Sequence, residues 1–345
     1  MISRRLFGQT IAAGVAATSL AACSPKPGAE PVVTAPTGAD LRAGSGKNTS
    51  LGQVKQITAG VVDMGYFEFG PATGQPVVLL HGWPYDPYSY ADVAPLLAAQ
   101  GYRVIVPFLR GYGSTTFRSP QTVRNGQQSA IALDVIALLD ALKIDKAVFG
   151  GYDWGSRTAA IIAVLWPERV KALVAVSGYL IVNLTANQQP LAPAAELGWW
   201  YQYYFATERG VLGYTRNRHD FTKLIWKNAS PAWNFDDATF DRSAAAFDNP
   251  DHVAIVVHNY RWRLSLAPGE PQYDSYEQKL QAAPPIAVPA ITIGSDFDGA
   301  AANGVAYRGK FTGKYAHRVF TGIGHNVPQE APVPFTQAIV DVDHF

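Results

Sequence analysis

Short apolar runs and amphipathic stretches alternate along most of the chain. Val77-Val78-Leu79-Leu80, Val104-Ile105-Val106, Ala147-Val148-Phe149, Leu173-Val174-Ala175-Val176 and Ala290-Ile291-Thr292-Ile293 are brief, rich in β-branched side chains and apolar on both faces. Strands without a polar face belong in a parallel sheet covered by helices on both sides. Between the second and third runs, Ile131, Val135, Leu138, Leu139 and Leu142 recur at helical spacing. The alternation therefore predicts an α/β architecture around a mainly parallel sheet. It lapses from Tyr179 to Ala283, where Trp, Tyr, Phe, Asn and Arg crowd together, and this reads as a helical insertion covering the body. The sheet pattern resumes at Val288, Arg318-Val319-Phe320 supplies a last strand, and Ala331 to Val342 a closing helix. The expected body is thus residues 56–178 and 284–345, with a lid of 179–283.

The N-terminus follows another pattern. Ser3-Arg4-Arg5-Leu6-Phe7 precedes an Ala/Val/Leu run without acidic residues, and Leu20-Ala21-Ala22-Cys23 closes it. The run is short for a membrane-spanning helix, and small residues sit where a signal peptidase cuts. The paired arginine resembles a twin-arginine export signal and Leu-Ala-Ala-Cys a bacterial lipoprotein box. Residues 1–22 are accordingly read as a signal peptide and Cys23 as a lipidation site, which would place the protein on the periplasmic side of a bacterial membrane. Removing the segment takes away Arg4 and Arg5 and turns the net charge from +1 to −1. Residues 23–55, rich in Pro, Gly, Ala and Thr up to about Gln53, read as a flexible tether.

Composition narrows the function. At 345 residues and 48% hydrophobic, the chain can bury a large core and is too apolar for intrinsic disorder. The 28 basic residues nearly balance 27 acidic ones, which removes the footprint of a general nucleic-acid binder. One cysteine excludes an internal disulfide framework and a multi-cysteine metal site, and no His-Glu-x-x-His spacing is present. The expected chemistry uses no metal or cofactor.

Candidate chemistry sits where strands end. Gly151-Tyr152-Asp153-Trp154-Gly155 runs from a strand straight into a predicted helix, and so sharp a turn needs very small residues flanking an exposed central one. Asp153 is then a nucleophile, or else simply an N-cap at a helix start. His81-Gly82-Trp83-Pro84 ends an earlier strand, where the N–H of Trp83 beside that of Trp154 can face a developing negative charge. Asp298 follows the Ala290–Ile293 strand, with Asp296 as a competitor, and His325 follows the final strand. The order nucleophile, acid, histidine is that of α/β-hydrolases.

From about Gln56 onward these residues resemble the epoxide hydrolase and haloalkane dehalogenase group of α/β-hydrolases, in which Asp-Trp-Gly replaces the serine elbow of esterases. Tyr201-Gln202-Tyr203-Tyr204-Phe205 and Asn259-Tyr260-Arg261 match the two lid tyrosine stretches of epoxide hydrolases. The resemblance implies that Asp153 attacks an epoxide, that Tyr201 and Tyr260 assist ring opening, and that His325 with Asp298 activates water against the resulting ester. Simple packing of an aromatic lid is the other reading of the tyrosines. The implied partner is a small apolar epoxide or related electrophile, and the product a vicinal diol. Two departures stand out: Tyr152 occupies a position that is often His, and Trp83 stands where many dehalogenases have a halide-binding Asn. For dehalogenases of haloacids, Arg157 matches one of two carboxylate-clamping arginines and Trp154 stands at the other. Haloalkane or haloacid dehalogenation, and a non-catalytic lipoprotein that keeps the fold, remain the alternatives.

Overall fold

The computed structural model describes residues 40–345. Its nine strands are β1 (Lys55–Ala59), β2 (Val62–Phe69), β3 (Pro76–Leu80), β4 (Arg103–Pro107), β5 (Thr116–Phe117), β6 (Ala147–Gly151), β7 (Val170–Val176), β8 (Ala290–Ser295) and β9 (Tyr315–Phe320). They form one sheet in the order β1-β2-β4-β3-β6-β7-β8-β9, with β5 paired to β2. Every pairing from β4 to β9 is parallel, while β2 runs antiparallel to β1, β4 and β5. This is the fold class predicted from the alternation of apolar runs. Val77, Val78, Leu79 and Leu80 of β3 are all fully buried, and each such side chain contributes about 1.5–3 kcal/mol of transfer free energy.

Both sheet faces are covered, and β6 shows how. A Cβ on Gly150 would touch Ile339, whereas one on Gly151 would meet the backbone of Gly155. Adjacent strand residues point to opposite faces, so Pro332–Asp343 lies on one side of β6 and Trp154–Leu165 on the other. Gln128–Ala141 packs beside Trp154–Leu165, and Val93–Ala98 beside Pro332–Asp343.

Two expectations change. The hairpin β1–β2 was not anticipated, because its residues mix exposed polar and buried apolar positions without a clean run. The tether reading through Gln53 fails from Asp40 onward. The Gly46 and Asn48 backbone N–H groups donate to Asp92 at 2.7 and 2.8 Å, Ser45 Oγ donates to the Gln329 carbonyl, and Leu51 is buried in the core. Hydrogen bonds to the body hold this segment although it forms no helix or strand. The expected signal peptide, the lipidation site expected at Cys23 and the expected tether up to residue 39 lie outside the described residues.

Between β7 and β8 the chain passes through six α-helices: Pro193–Gly198, Trp200–Ala206, Glu208–Ala229, Asp237–Ala244, His252–Arg263 and Asp274–Gln281. Thr207 and Asp236 cap two of them by accepting from the N–H groups of Gly210 and Thr239. Phe205, Tyr214, Phe221 and Tyr260 from these helices gather on Trp83 of the body, with ring centroids 5.1–6.5 Å from its own. That aromatic contact joins lid to body over the C-terminal ends of β3 and β6. Among the described residues no helix is long and apolar enough to cross a membrane, and no three His, Cys, Asp or Glu side chains group as metal ligands do.

Candidate active site

Asp153 sits between β6 and the helix Trp154–Leu165 with φ 51° and ψ −123°. A non-glycine residue held there stores about 1–3 kcal/mol of strain. Its neighbours explain how the turn closes: a Cβ on Gly155 would lie 1.8 Å from the Leu80 carbonyl oxygen, and one on Gly151 would lie 2.5 Å from the Gly155 carbonyl carbon. Glycine is required at both positions by close backbone approach. Asp153 makes no side-chain capping bond to its helix. Its Oδ1 instead accepts the Trp83 N–H at 2.8 Å, across 70 residues of sequence.

The second oxygen, Oδ2, lies 3.6 Å from His325 Nε2, and the Asp153 side chain is 19% exposed, open enough for a small molecule to reach. Burial alone would push the Asp153 carboxyl up. The contact with His325, the charges of His325 and Arg157 and the Trp83 N–H outweigh it and hold the carboxyl below its ordinary value. Asp153 is therefore ionised near neutrality. Trp154 opens the helix, and its N–H has no carbonyl four residues back to bond within that helix.

Trp83 is itself held in place. Its indole Nε1 donates to Tyr214 Oη at 3.0 Å, which pairs with His252 Nε2 at 2.8 Å, while His252 Nδ1 bonds the Gly111 carbonyl. Because Nδ1 must donate to that carbonyl, Nε2 is left as the acceptor from Tyr214. Burial pushes His252 down to about 3, so the ring stays neutral. Tyr152, at the position where many epoxide hydrolases have a histidine, bonds Ser89 Oγ at 2.5 Å and sets its ring edge to face with His325, centroids 5.9 Å apart.

His325 is set by its loop. Its N–H donates to Ser230 Oγ at 2.9 Å; Ser230 donates to Glu330 at 2.7 Å, and Glu330 also accepts the Gly324 N–H and faces Arg42. Ser230 and Glu330 were not singled out from sequence, and nothing in their spacing marks them. Phe297 lies against the imidazole, ring centroids 4.2 Å apart. Of the two candidate acids, Asp296 is exposed and accepts the Gly322 N–H, whereas Asp298 is buried with Oδ2 on the Ser295 N–H at 2.9 Å. Burial raises the Asp298 carboxyl, against bonds from Ser177 and Ser295 and the field of His325. Among the described residues His325 Nδ1 is buried without a hydrogen-bond partner, so no bond between Asp298 and the ring is formed here.

The lid brings Tyr201, from the helix Trp200–Ala206, and Tyr260, from His252–Arg263, edge to face at 5.3 Å. Their rings lie 4.9 and 5.1 Å from Trp83. Burial pushes both phenols up, and the Asp153 charge adds to it, so both keep their protons and can donate. Two arginines complete the surroundings, Arg157 one turn along the helix from Asp153 and Arg263 at the end of Tyr260's helix. Arg263 was not identified from sequence; only its place three residues after Tyr260 could have drawn attention to it.

This fold and this elbow define an α/β-hydrolase. A profile described as the alpha/beta hydrolase fold matches residues 75–332, and the chain belongs to that family, within the epoxide hydrolase and haloalkane dehalogenase type. A candidate epoxide hydrolase from Klebsiella pneumoniae, known from its crystal structure, is 56% identical with a TM-score of 0.84, over 89% of this chain and 100% of that one. Epoxide hydrolase 3 of Siraitia grosvenorii is 36% identical over 144 residues, 42% of each chain. Epoxide hydrolase B of Mycobacterium tuberculosis is 34% identical over 152 residues, 40% of this chain and 42% of its own. These matches span about two fifths of the length of the curated relatives.

Proposed function

We propose that the protein is an epoxide hydrolase working through an ester on Asp153. The unequal environment of the two carboxylate oxygens carries this reading. Oδ1 is tied to the Trp83 N–H, while Oδ2 is turned to His325 Nε2 beneath two protonated phenols. Oδ2 attacks an epoxide carbon, its carbon–oxygen bond breaks, and Tyr201 or Tyr260 gives a proton to the departing alkoxide. Oδ1 is then the ester carbonyl oxygen and already rests on an N–H donor. His325 Nε2 takes a proton from water, which adds to the Asp153 carboxyl carbon. The N–H groups of Trp83 and Trp154 hold the oxyanion on Oδ1. Collapse expels the second alkoxide of a vicinal diol, which takes up the proton from His325, the regenerated Asp153 carboxyl returns a proton to the tyrosine that gave one up, and the field of Asp298 steadies the transient imidazolium.

Replacing His325 with Gln separates the two steps. A substrate-sized mass increase on the peptide carrying Asp153 is expected, and an unmodified, inactive protein would overturn the assignment of His325 to hydrolysis. One observation favours a second reading, dehalogenation: the Trp154 indole Nε1 is buried without a partner among the described residues and could donate to a leaving halide. Halide release from a haloalkane panel, without epoxide turnover, would establish it.

We also infer export and lipid anchoring, supported by the arginine pair Arg4-Arg5 and by Cys23 directly after Leu20-Ala21-Ala22. Several acyl chains would hold the protein at the membrane where a single one binds weakly.

A further inference from the structure

Two guanidinium groups are buried in the lid–body contact, with no carboxylate among the described residues paired to either. Arg157 is 6% exposed, and among the described residues its one side-chain hydrogen bond is from Nε to the Leu180 carbonyl at 3.0 Å. Arg263 is 8% exposed, its Nε has no hydrogen-bond partner among the described residues, and its guanidinium carbon lies 5.4 Å from the ring centres of both Trp199 and Tyr260. Among the described residues neither forms an ion pair, although arginines nearer the surface, such as Arg124 and Arg103, do.

The two charges act on each other and on the reaction chamber. Burial and then the charge of Arg263 push Arg157 down to about 10, with Asp153, Tyr260 and Tyr201 pulling the other way. Arg157 therefore remains a cation near neutrality, one helical turn from Asp153. Burying one unpaired cation is costly, and placing two like charges together in an aromatic enclosure is costlier. Asp153 can offset one of them. The second positive charge, and the empty donors of both forks, match an anion that arrives with the substrate. Guanidinium forks suit the two oxygens of a carboxylate, and the Trp199 and Tyr260 faces hold Arg263 flat for that contact.

We propose that Arg157 and Arg263 bind a carboxylate on the substrate, so that the enzyme acts on epoxides of carboxylic acids. The proposal rests on the epoxide reading for the reacting group but not for the anion site. It also answers an electrostatic difficulty, since a carboxylate approaching ionised Asp153 alone would be repelled. A neutral apolar epoxide would gain nothing from two buried cations.

The test uses a matched pair, 3-phenylglycidate and its methyl ester, together with the unreactive ligands phenylacetate and phenylacetamide. Wild-type protein should turn over the acid at least about tenfold better in kcat/KM than the ester, and should bind phenylacetate but not phenylacetamide by calorimetry. Arg263→Gln should lose about 10- to 100-fold for the acid, mostly in KM, and clearly less for the ester, whose ring opening shares the neighbouring phenols. Arg263→Lys, which keeps the charge, should recover part of that loss. Equal or better turnover of the ester by wild type, or an Arg263→Gln loss shared equally by acid and ester, overturns the proposal. Phenylacetate binding that depends on Arg263 supports the anion site even if no epoxide is opened, in which case the epoxide reading alone fails. Neutral epoxide turnover without phenylacetate binding leaves the epoxide reading standing and removes the anion site.

Discussion

Converting Tyr201 and Tyr260 to Phe tests the step that distinguishes an epoxide from other electrophiles. Only epoxide opening leaves an alkoxide attached to the carbon skeleton, and only that alkoxide needs a phenol proton. A hydrogen bond to a charged group contributes about 1.5–3 kcal/mol, and about 1.4 kcal/mol is a factor of ten in rate. Each single variant should therefore open the ring about 10- to 100-fold more slowly. Because the two rings are only 5.3 Å apart, the remaining phenol partly compensates in a single variant. The double variant should then lose more than the product of the singles. Tyr260 is 1% exposed but is held by its ring, against Trp83, Phe205 and Trp154, so Phe should preserve the fold. Single-turnover tryptophan fluorescence suits the assay, since the Trp83 N–H bonds Asp153 and Trp154 follows it. Both phenols are raised above their ordinary value of 10.0; the proton is kept as pH rises toward 10, and ring opening should show no alkaline loss from them below that. A double variant that opens a neutral epoxide within twofold of wild type would refute the tyrosine assignment and with it the main argument for epoxides.

Gly155→Ala should destabilise the protein by more than about 4 kcal/mol, because its Cβ would strike the backbone of β3 rather than a movable side chain; wild-type thermal unfolding would contradict the close-packed elbow. Asp86 is buried and pushed up from 3.8 to about 8 by desolvation. Between those values only the unfolded state releases its proton, so stability should fall across that range by on the order of 5 kcal/mol. Asp86→Asn, which can still accept from Tyr88 N–H, should flatten the decline in urea midpoint between pH 5 and pH 8, and an unchanged slope would show that Asp86 does not govern it. Cys23→Ser should move the exported protein out of the membrane fraction with the specific activity of the body unchanged. Fully soluble wild-type protein with another N-terminus would end the lipoprotein reading.

Much of the fold was legible because burial on both faces leaves a local mark. A strand such as Ala147-Val148-Phe149 has no polar position to offer water, and the glycines around Asp153 announce a turn too tight for side chains. The order of Asp153, Asp298 and His325 is likewise visible along the chain, since each follows a strand. The hairpin of Lys55–Ala59 with Val62–Phe69 was hidden because half-exposed strands carry mixed composition. The segment from Asp40 to Leu51 was hidden because its order comes from partners such as Asp92 and Gln329, far along the chain.

The sequence by itself determined which groups could react: a carboxylate at a glycine-flanked turn, a late histidine, two lid tyrosines. Tertiary structure decided which oxygen of Asp153 is free, that Asp298 is buried and Asp296 is not, and that Ser230 and Glu330 set the His325 loop. It also placed Arg263 in the same enclosure as Arg157, 106 positions earlier in the chain. The reason is physical. Residue type and local spacing fix what a side chain can do and how its own backbone turns, but electrostatic pairing and burial depend on what folding brings alongside. An arginine without a carboxylate cannot be recognised until every neighbour is in place.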